Sequence, residues 1–219
     1  MTPDYERAAV AAAETLIKYG INSAPVSPLP ILKRLPGVLV VSFESLANDI
    51  GLARECVISM MGDHNQDACT TVNMTPSGPK YLVAYNYQLP YSLAQRALAR
   101  ELGHIILRHD GSRPEDVRTE EARAFAHHLL VPRPLIHAIL ETNLRLTVDL
   151  LGNLTGCYDY CLSCMRKQPG VHVPPELNRI IRDNFTPYFM NFFSFQRVAS
   201  ANDASALADL GSYMEGYEE

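Results

Sequence analysis

The chain has 219 residues, 47% hydrophobic and 20% charged, a composition typical of a soluble globular protein. No stretch approaches the roughly 18 apolar residues of a membrane span, and no basic segment followed by an apolar run suggests a secretory signal. Five of the 24 acidic residues follow Arg197, where no Lys or Arg occurs, and the other 19 balance the 19 basic residues. This neutral body with an acidic end disfavours direct nucleic-acid binding.

The first fifty residues predict helices around one strand. An alanine-rich helix is expected over residues 4–19, with Gly20 as its C-terminal stop. A proline-rich connector then leads into a short helix that ends at Leu35. The apolar, β-branched run at residues 38–43 predicts a strand, and residues 44–50 predict another short helix.

Three further strands are expected between residues 56 and 85. Segments rich in Gly, Asn, Asp and Pro separate them, and such segments are typical of turns. The predicted strands are residues 56–61, 68–73 and 81–85. Their short spacing predicts an antiparallel meander, and with the flanking helices the fold class is expected to be α+β.

From Ser92 onward the apolar residues recur with the period of a helix. The stripe continues to Ile106, and the helix is expected to end near residues 109–111. A loop is expected over residues 112–117. A second long helix is expected from about Thr119 to Leu130, ended by the prolines that follow.

The C-terminal third predicts short helices, at residues 135–141, 148–152, 157–167 and 175–185. Cys157, Cys161 and Cys164 share one helical face and are expected to be small buried residues, with a thiolate metal site as the alternative. The spacing of these cysteines also occurs in iron–sulfur proteins, but no glycine-rich loop or barrel-length chain accompanies it. An odd number of cysteines suits a reducing compartment, so a cytoplasmic location is expected.

The two long helices carry polar side chains on single faces. Arg100, Glu101 and His104 share one side of the first helix, because residues one turn apart lie on the same face. Glu121 and His128 share a face of the second helix. A catalytic zinc ion takes three protein ligands and a water molecule, so a carboxylate from the second helix would complete a metal-binding first helix.

These two segments resemble the ImmA/IrrE family of zinc metallo-endopeptidases. Residues 99–107, ARELGHIIL, are similar to the family's AHELGHxxL helix, and residues 121–132, EARAFAHHLLVP, are similar to its EANxFAxxLLxP helix. The resemblance implies a zincin-like domain with Glu101 as general base, His104 as the second zinc ligand and Glu121 as the third. It also implies a protein or peptide substrate, with helix-turn-helix repressors of phages or mobile elements as expected partners.

Arg100 stands where the family has its first zinc-ligand histidine. A guanidinium group stays protonated and offers no lone pair to a metal ion. One interpretation is that another histidine completes the zinc site and the chain remains a metallo-endopeptidase. His128 is the first candidate for this substitute ligand, with His127 and His109 as weaker ones.

The alternative interpretation is that zinc is absent. The positive charge of Arg100 would then pair with Glu121 or Glu101, and the chain would be a pseudo-enzyme that binds a protein or peptide without cutting it. In either case the expected domains are the same. They are a zincin-like domain over residues 1–135, a helical extension packed on it over 136–197, and an acidic tail over 198–219.

Overall fold

A computed structural model describes residues 1–61, 67–141, 147–157, 160–161 and 171–200, with side chains described up to residue 193. The chain forms two compact units. The first comprises Met1–Ala11 and Ser27–Ala126, and the second comprises Ala12–Val26 and the residues from His127 onward. None of the described helices is long and apolar enough to cross a membrane.

The described elements combine several helices with one small sheet, which confirms the predicted α+β class. The helices are α1 (Tyr5–Lys18), α2 (Pro28–Arg34), α3 (Phe43–Ile50), α4 (Arg54–Met60), α5 (Tyr91–Ile106), α6 (Glu115–Leu130), α7 (Arg133–Leu140), α8 (Val148–Thr155) and α9 (Pro175–Ser200). The strands are β1 (Val38–Ser42), β2 (Ala68–Thr75) and β3 (Gly78–Tyr85).

The sheet has the order β1-β3-β2, which differs from the predicted antiparallel meander. β2 and β3 form an antiparallel hairpin, in register from Ala68 opposite Tyr85 to Thr75 opposite Gly78. β1 pairs with β3 in parallel. A parallel pair requires a crossover connection, and the helices α3 and α4 between β1 and the hairpin supply it. The expectation of a purely antiparallel sheet was therefore wrong.

The strand predicted at residues 56–61 is helix α4. Val57 and Ile58 are buried, whereas Cys56 and Met60 on either side of them are exposed, so burial does not alternate as it would in a strand. The buried pair joins a small core that includes Phe43. The sequence prediction failed because a short apolar run has no clear period of its own, and packing decides its conformation.

Helix α6 begins at Glu115, inside the segment predicted as a loop at residues 112–117. Glu115 and Asp116 lie in its first turn, where negative charge is favourable beside the positive end of the helix dipole. The predicted start at Thr119 was therefore one turn too late.

In the second unit, α9 packs against α7 and extends beyond the predicted end at residue 185. Its buried face is a stripe of three aromatic side chains, Phe185, Phe189 and Phe193, spaced four residues apart. Cys157 and Cys161 are fully buried, as predicted. Cys164 and most of the helix predicted at 157–167 lie outside the described residues. The domain boundary predicted at residue 135 stays a prediction.

Helices α5 and α6 approach each other closely at Gly103. A Cβ atom added there would lie 3.0 Å from Cδ1 of Phe125 and 3.2 Å from its Cβ. Phe125 is fully buried and has no room to move aside. Glycine at this position therefore sets how closely α6 packs on the helix that carries Arg100, Glu101 and His104.

Replacing Gly103 with alanine is expected to lower the free energy of unfolding by about 1 kcal/mol, although alanine is the better helix former. The loss arises because the new methyl group overlaps the ring of Phe125. Urea denaturation measures it. Gly111→Ala is the control, because a Cβ at that position meets nothing within 4 Å. Equal stability of the two variants would contradict the close packing.

Candidate functional site

Glu101 on α5 lies beneath the edge strand β2. Its side chain is almost completely buried, and its Oε2 accepts a hydrogen bond of 2.7 Å from the Thr70 hydroxyl. Because α5 packs against β2, the carboxylate of Glu101 faces a strand that carries a suitable donor. The sequence indicated Glu101 but gave no sign of Thr70, which lies 31 residues away.

Arg100 forms an ion pair with Asp67, the residue just before β2. Its Nη2 lies 3.6 Å from Oδ2 of Asp67, and about one fifth of the arginine side chain is exposed. The sequence interpretation had Arg100 pairing with Glu121 or Glu101 and did not single out Asp67. The positive charge of Arg100 is thus partly balanced by Asp67, which lies next to the sheet.

Glu121 on α6 is completely buried, and both its carboxylate oxygens have protein partners. Oε1 accepts hydrogen bonds from the backbone N–H of Asp4 at 2.9 Å and from Nη1 of Arg113 at 2.6 Å. Oε2 lies 2.9 Å from Nε2 of His109 and 3.7 Å from Nη1 of Arg7. Every one of these contacts is with a hydrogen-bond donor or a positive charge.

The carboxyl group of Glu121 is ionised as a result. Burial by itself would raise its pKa, but hydrogen bonds from Asp4 and His109 and the charge of Arg113 hold that pKa below the ordinary value. A buried carboxylate is stable only when it is paired and hydrogen-bonded. Here protein groups do all of that pairing.

His109 connects Glu121 to His104. Its Nε2 contacts Glu121, and its Nδ1 lies 2.9 Å from Nδ1 of His104, so the three side chains form one hydrogen-bonded row. His109 was one of the weaker candidates in the sequence, and it lies just beyond the end of α5. The backbone N–H of His109 donates to the carbonyl of His104, and this tight C-terminal turn folds the second imidazole back toward the first.

Both imidazoles are neutral near pH 7. Burial lowers the pKa of His104 to about 4, and electrostatic interactions with His109, Arg118 and Arg100 act in the same direction. Burial also lowers the pKa of His109, although its contact with Glu121 acts in the opposite direction. Because the ionised carboxylate can only accept, Nε2 of His109 carries a proton and its Nδ1 accepts from Nδ1–H of His104. We therefore assign an unprotonated Nε2 to His104.

His128 belongs to the second compact unit. It is almost completely buried, its ring centroid lies 5.3 Å from that of His127, and burial, followed by the charges of His127 and Arg133, lowers its pKa to about 4. The Nε2 atom of His127 lies 3.1 Å from the carbonyl oxygen of Tyr160. The role of His128 as a substitute metal ligand stays a prediction.

The described donors do not fit a zinc ion. In the described part of the chain, no group of three or more His, Cys, Asp or Glu side chains is arranged to hold a metal ion. Catalytic zinc needs three protein ligands. Arg100 supplies none, and both oxygens of Glu121 have protein partners. Among the family's three ligand positions, Arg100 offers no lone pair, Glu121 already accepts three hydrogen bonds, and His104 keeps an unprotonated Nε2.

A cleft of about 840 Å³ opens over these residues. Thr70 and Val72 of β2 border it on one side, and the α5 face with Glu101 and His104 borders it on another. Arg118, from the first turn of α6, reaches it as well. β2 is the edge strand of the sheet, and no other described strand pairs with its outer side. The cleft thus lies beside a strand with an unpaired edge and is lined by charged side chains.

Residues 57–155 match the model of a peptidase family described as the IrrE N-terminal-like domain. The matched region contains β2, β3, α5 and α6, and with them Arg100, Glu101, His104 and Glu121. Comparisons with curated proteins and with solved structures give no significant match. The family assignment therefore rests on this domain alone.

Proposed function

We propose, on the premise that this chain carries an IrrE N-terminal-like domain of the ImmA/IrrE metallopeptidase family, that it binds a protein or peptide without zinc and without cutting it. The single observation that carries the proposal is the pairing of Glu121, whose two oxygens meet Asp4, Arg113 and His109. A zinc ligand must direct a lone pair at the metal. Here the charge that would face a metal ion is balanced by protein groups.

The surrounding charges support this proposal. In a zinc site the metal ion offsets the negative charge of its carboxylate ligand, and removing the metal leaves that charge costly to bury. Arg113, Arg7 and His109 take over this compensation at Glu121. Arg100 adds a fixed positive charge where the family has a ligand. The protein's own side chains thus balance the negative charge of Glu121.

The edge strand supports the binding of an extended segment. An unpaired strand edge can accept a peptide as an additional strand through its backbone N–H and C=O groups. The side chains of Thr70 and Val72 on β2 border the cleft, so a segment paired with β2 would run beside the α5 face. Val72 is about half exposed, which leaves an apolar surface for that segment to cover.

For the partner, we propose a helix-turn-helix repressor of a phage or mobile element, in the cytoplasm. The ImmA/IrrE resemblance supports this choice. The formally neutral body of the chain supports contact with the repressor protein in preference to its DNA. The four described cysteines are all free thiols, which suits a reducing compartment.

A zinc endopeptidase with an altered site is the second candidate. The tautomer assigned to His104 favours it, because an unprotonated Nε2 is the form in which histidine binds a metal ion. Glu101 lies three residues before His104 on the same helix, as the general base does in the family. This candidate requires a further ligand for which His128 remains the first choice.

Elemental analysis and a peptide-cleavage assay on the same zinc-supplemented preparation separate the two candidates. We expect far less than one zinc ion per chain and no cleavage of a degenerate peptide pool, together with retention of some of its peptides. One zinc ion per chain that disappears in His104→Ala, with cleavage that disappears in Glu101→Gln, would overturn the proposal. Glu115→Gln is the control for both variants, because its exposed side chain borders the cleft away from the paired residues.

A further inference from the structure

Arg118 carries a buried hydrogen-bond donor that no described residue satisfies. Its Nε is buried and has no acceptor in the described part of the chain, while the side chain borders the cleft. Buried donors are almost always paired in native structures, so an unpaired one calls for an explanation. A modest turn of the side chain would expose this donor to the cleft, where a ligand group would supply the missing acceptor.

Three of the acidic groups near Arg118 already have donors of their own. Glu101 accepts from Thr70, and Glu121 accepts from Asp4, Arg113 and His109. Oδ1 of Asp110 accepts from both the backbone N–H and the hydroxyl of Ser112. Arg118 thus borders the cleft with a donor that no described acceptor satisfies, and these three carboxylates are engaged with other groups.

A second guanidinium acts on the same part of the cleft. The charges of Arg118 and Arg100 both contribute to the lowered pKa of His104, so both lie within electrostatic range of this imidazole. Arg118 also acts on His109 and on Asp110. An anionic group placed above His104 would therefore be attracted from two directions.

The geometry of arginine favours a carboxylate as that anionic group. The Nε–H and one Nη–H of a guanidinium form a flat fork that matches the two oxygens of a carboxylate. A phosphate group carries more negative charge and would be repelled more strongly by Glu101, Asp110 and Glu115, which also border the cleft. A singly charged, planar acceptor fits these surroundings better.

We infer that Arg118 binds a carboxylate of the peptide held in the cleft, so that the domain selects acidic segments. This inference rests on the proposed peptide-binding function and adds the chemical class of the ligand. The carboxylate has two possible sources, a free C-terminus or an Asp or Glu side chain. Both present the same pair of oxygens to the Nε and Nη donors of Arg118.

The test uses the whole chain and two degenerate octapeptide pools, one with free C-terminal carboxylates and one amidated. Retained peptides are identified by mass spectrometry. We expect an acidic preference of about tenfold, the effect of one charge-assisted pair of hydrogen bonds, in one of two forms. Better retention of the free-carboxylate pool than of the amidated pool identifies the C-terminus as the source. Enrichment of peptides with Asp or Glu in both pools identifies the side chain.

Variants at two arginines test whether Arg118 is responsible for the acidic preference. Arg118→Gln should abolish the acidic preference, and Arg118→Lys, which keeps the charge but not the fork, should retain only part of it. Arg123→Gln is the matched control, because Arg123 also borders the cleft but pairs with Glu120 at 2.6 Å. The Arg123→Gln variant should select acidic peptides as the wild type does.

The possible outcomes separate this inference from the function on which it rests. Peptides retained without acidic preference would overturn the role of Arg118 and leave peptide binding intact. An acidic preference that survives in Arg118→Gln would do the same. If neither pool yields a retained peptide, the proposed function fails, and the carboxylate site fails with it.

Discussion

Replacing Glu121 with alanine is expected to lower the free energy of unfolding of the first unit by about 3 kcal/mol. The change leaves the buried imidazole of His109 without its acceptor, and it removes the part-buried hydrogen bond from the backbone N–H of Asp4. Arg7 and Arg113 are each about one third exposed and can turn toward water. Because water can hydrate these two arginines, the expected loss in free energy of unfolding is at the low end of the range for a broken buried ion pair.

Urea denaturation of Glu121→Ala measures this loss, and Glu120→Ala is the control. Glu120 precedes Glu121 on α6 but pairs with Arg123 at the surface, where such pairs contribute less than about 1 kcal/mol. The stability that Glu121 provides is complete above pH 4.5, its ordinary pKa, and is lost as the pH falls through the lower pKa of the folded state. Equal losses in the two variants at pH 7 would contradict the central role of Glu121.

Replacing Arg100 with histidine is expected to create a zinc site in the chain that we propose to be zinc-free. The substitution supplies a second imidazole one turn before His104, which is the spacing of the HExxH helix, and it removes a positive charge. Glu121 would exchange its contact with His109 for the metal ion and so provide the third ligand. Zinc at 100 times its dissociation constant would raise the free energy of unfolding by about 2.7 kcal/mol. For a chain of this length the melting temperature would rise by about 5–10 °C.

Arg100→Gln is the control for this experiment, because it removes the charge without adding a ligand. Thermal melts with and without zinc, combined with elemental analysis, should show zinc binding only in Arg100→His. Zinc binding by Arg100→Gln would mean that the positive charge of Arg100 by itself prevents zinc binding in the wild type. If Arg100→His also fails to bind zinc, the pairing of Glu121 is sufficient to prevent zinc binding. The identity of residue 100 would then not determine whether the metal binds.

The long helices were predictable because their signals are local. The apolar stripe that ends at Ile106 and the prolines that follow Leu130 mark α5 and α6 in the sequence itself. The ImmA/IrrE resemblance depends on these same segments, and the IrrE N-terminal-like match over residues 57–155 confirms it. The short segment at 56–61 lacked such a signal and was assigned wrongly as a strand.

The partners of the site residues were not predictable in the same way. Asp4 and Glu121 are 117 positions apart, and Thr70 and Glu101 are 31 apart, so no helical period connects them. Arg113 is nearer to Glu121 in sequence, but it lies in a segment that was read as a loop. Only the packing of distant elements on α5 and α6 brings these donors to the carboxylates.

The sequence by itself therefore determined the resemblance to the ImmA/IrrE family and the two long helices, because both depend on neighbouring residues along the chain, and it showed Arg100 in place of a ligand histidine. The tertiary structure decided what surrounds Glu121. It gave that carboxylate protein donors on both oxygens, and it gave Arg100 Asp67 as an ion-pair partner. A buried charge requires compensation wherever the fold can supply it, and here the compensation comes from residues that no sequence motif identifies.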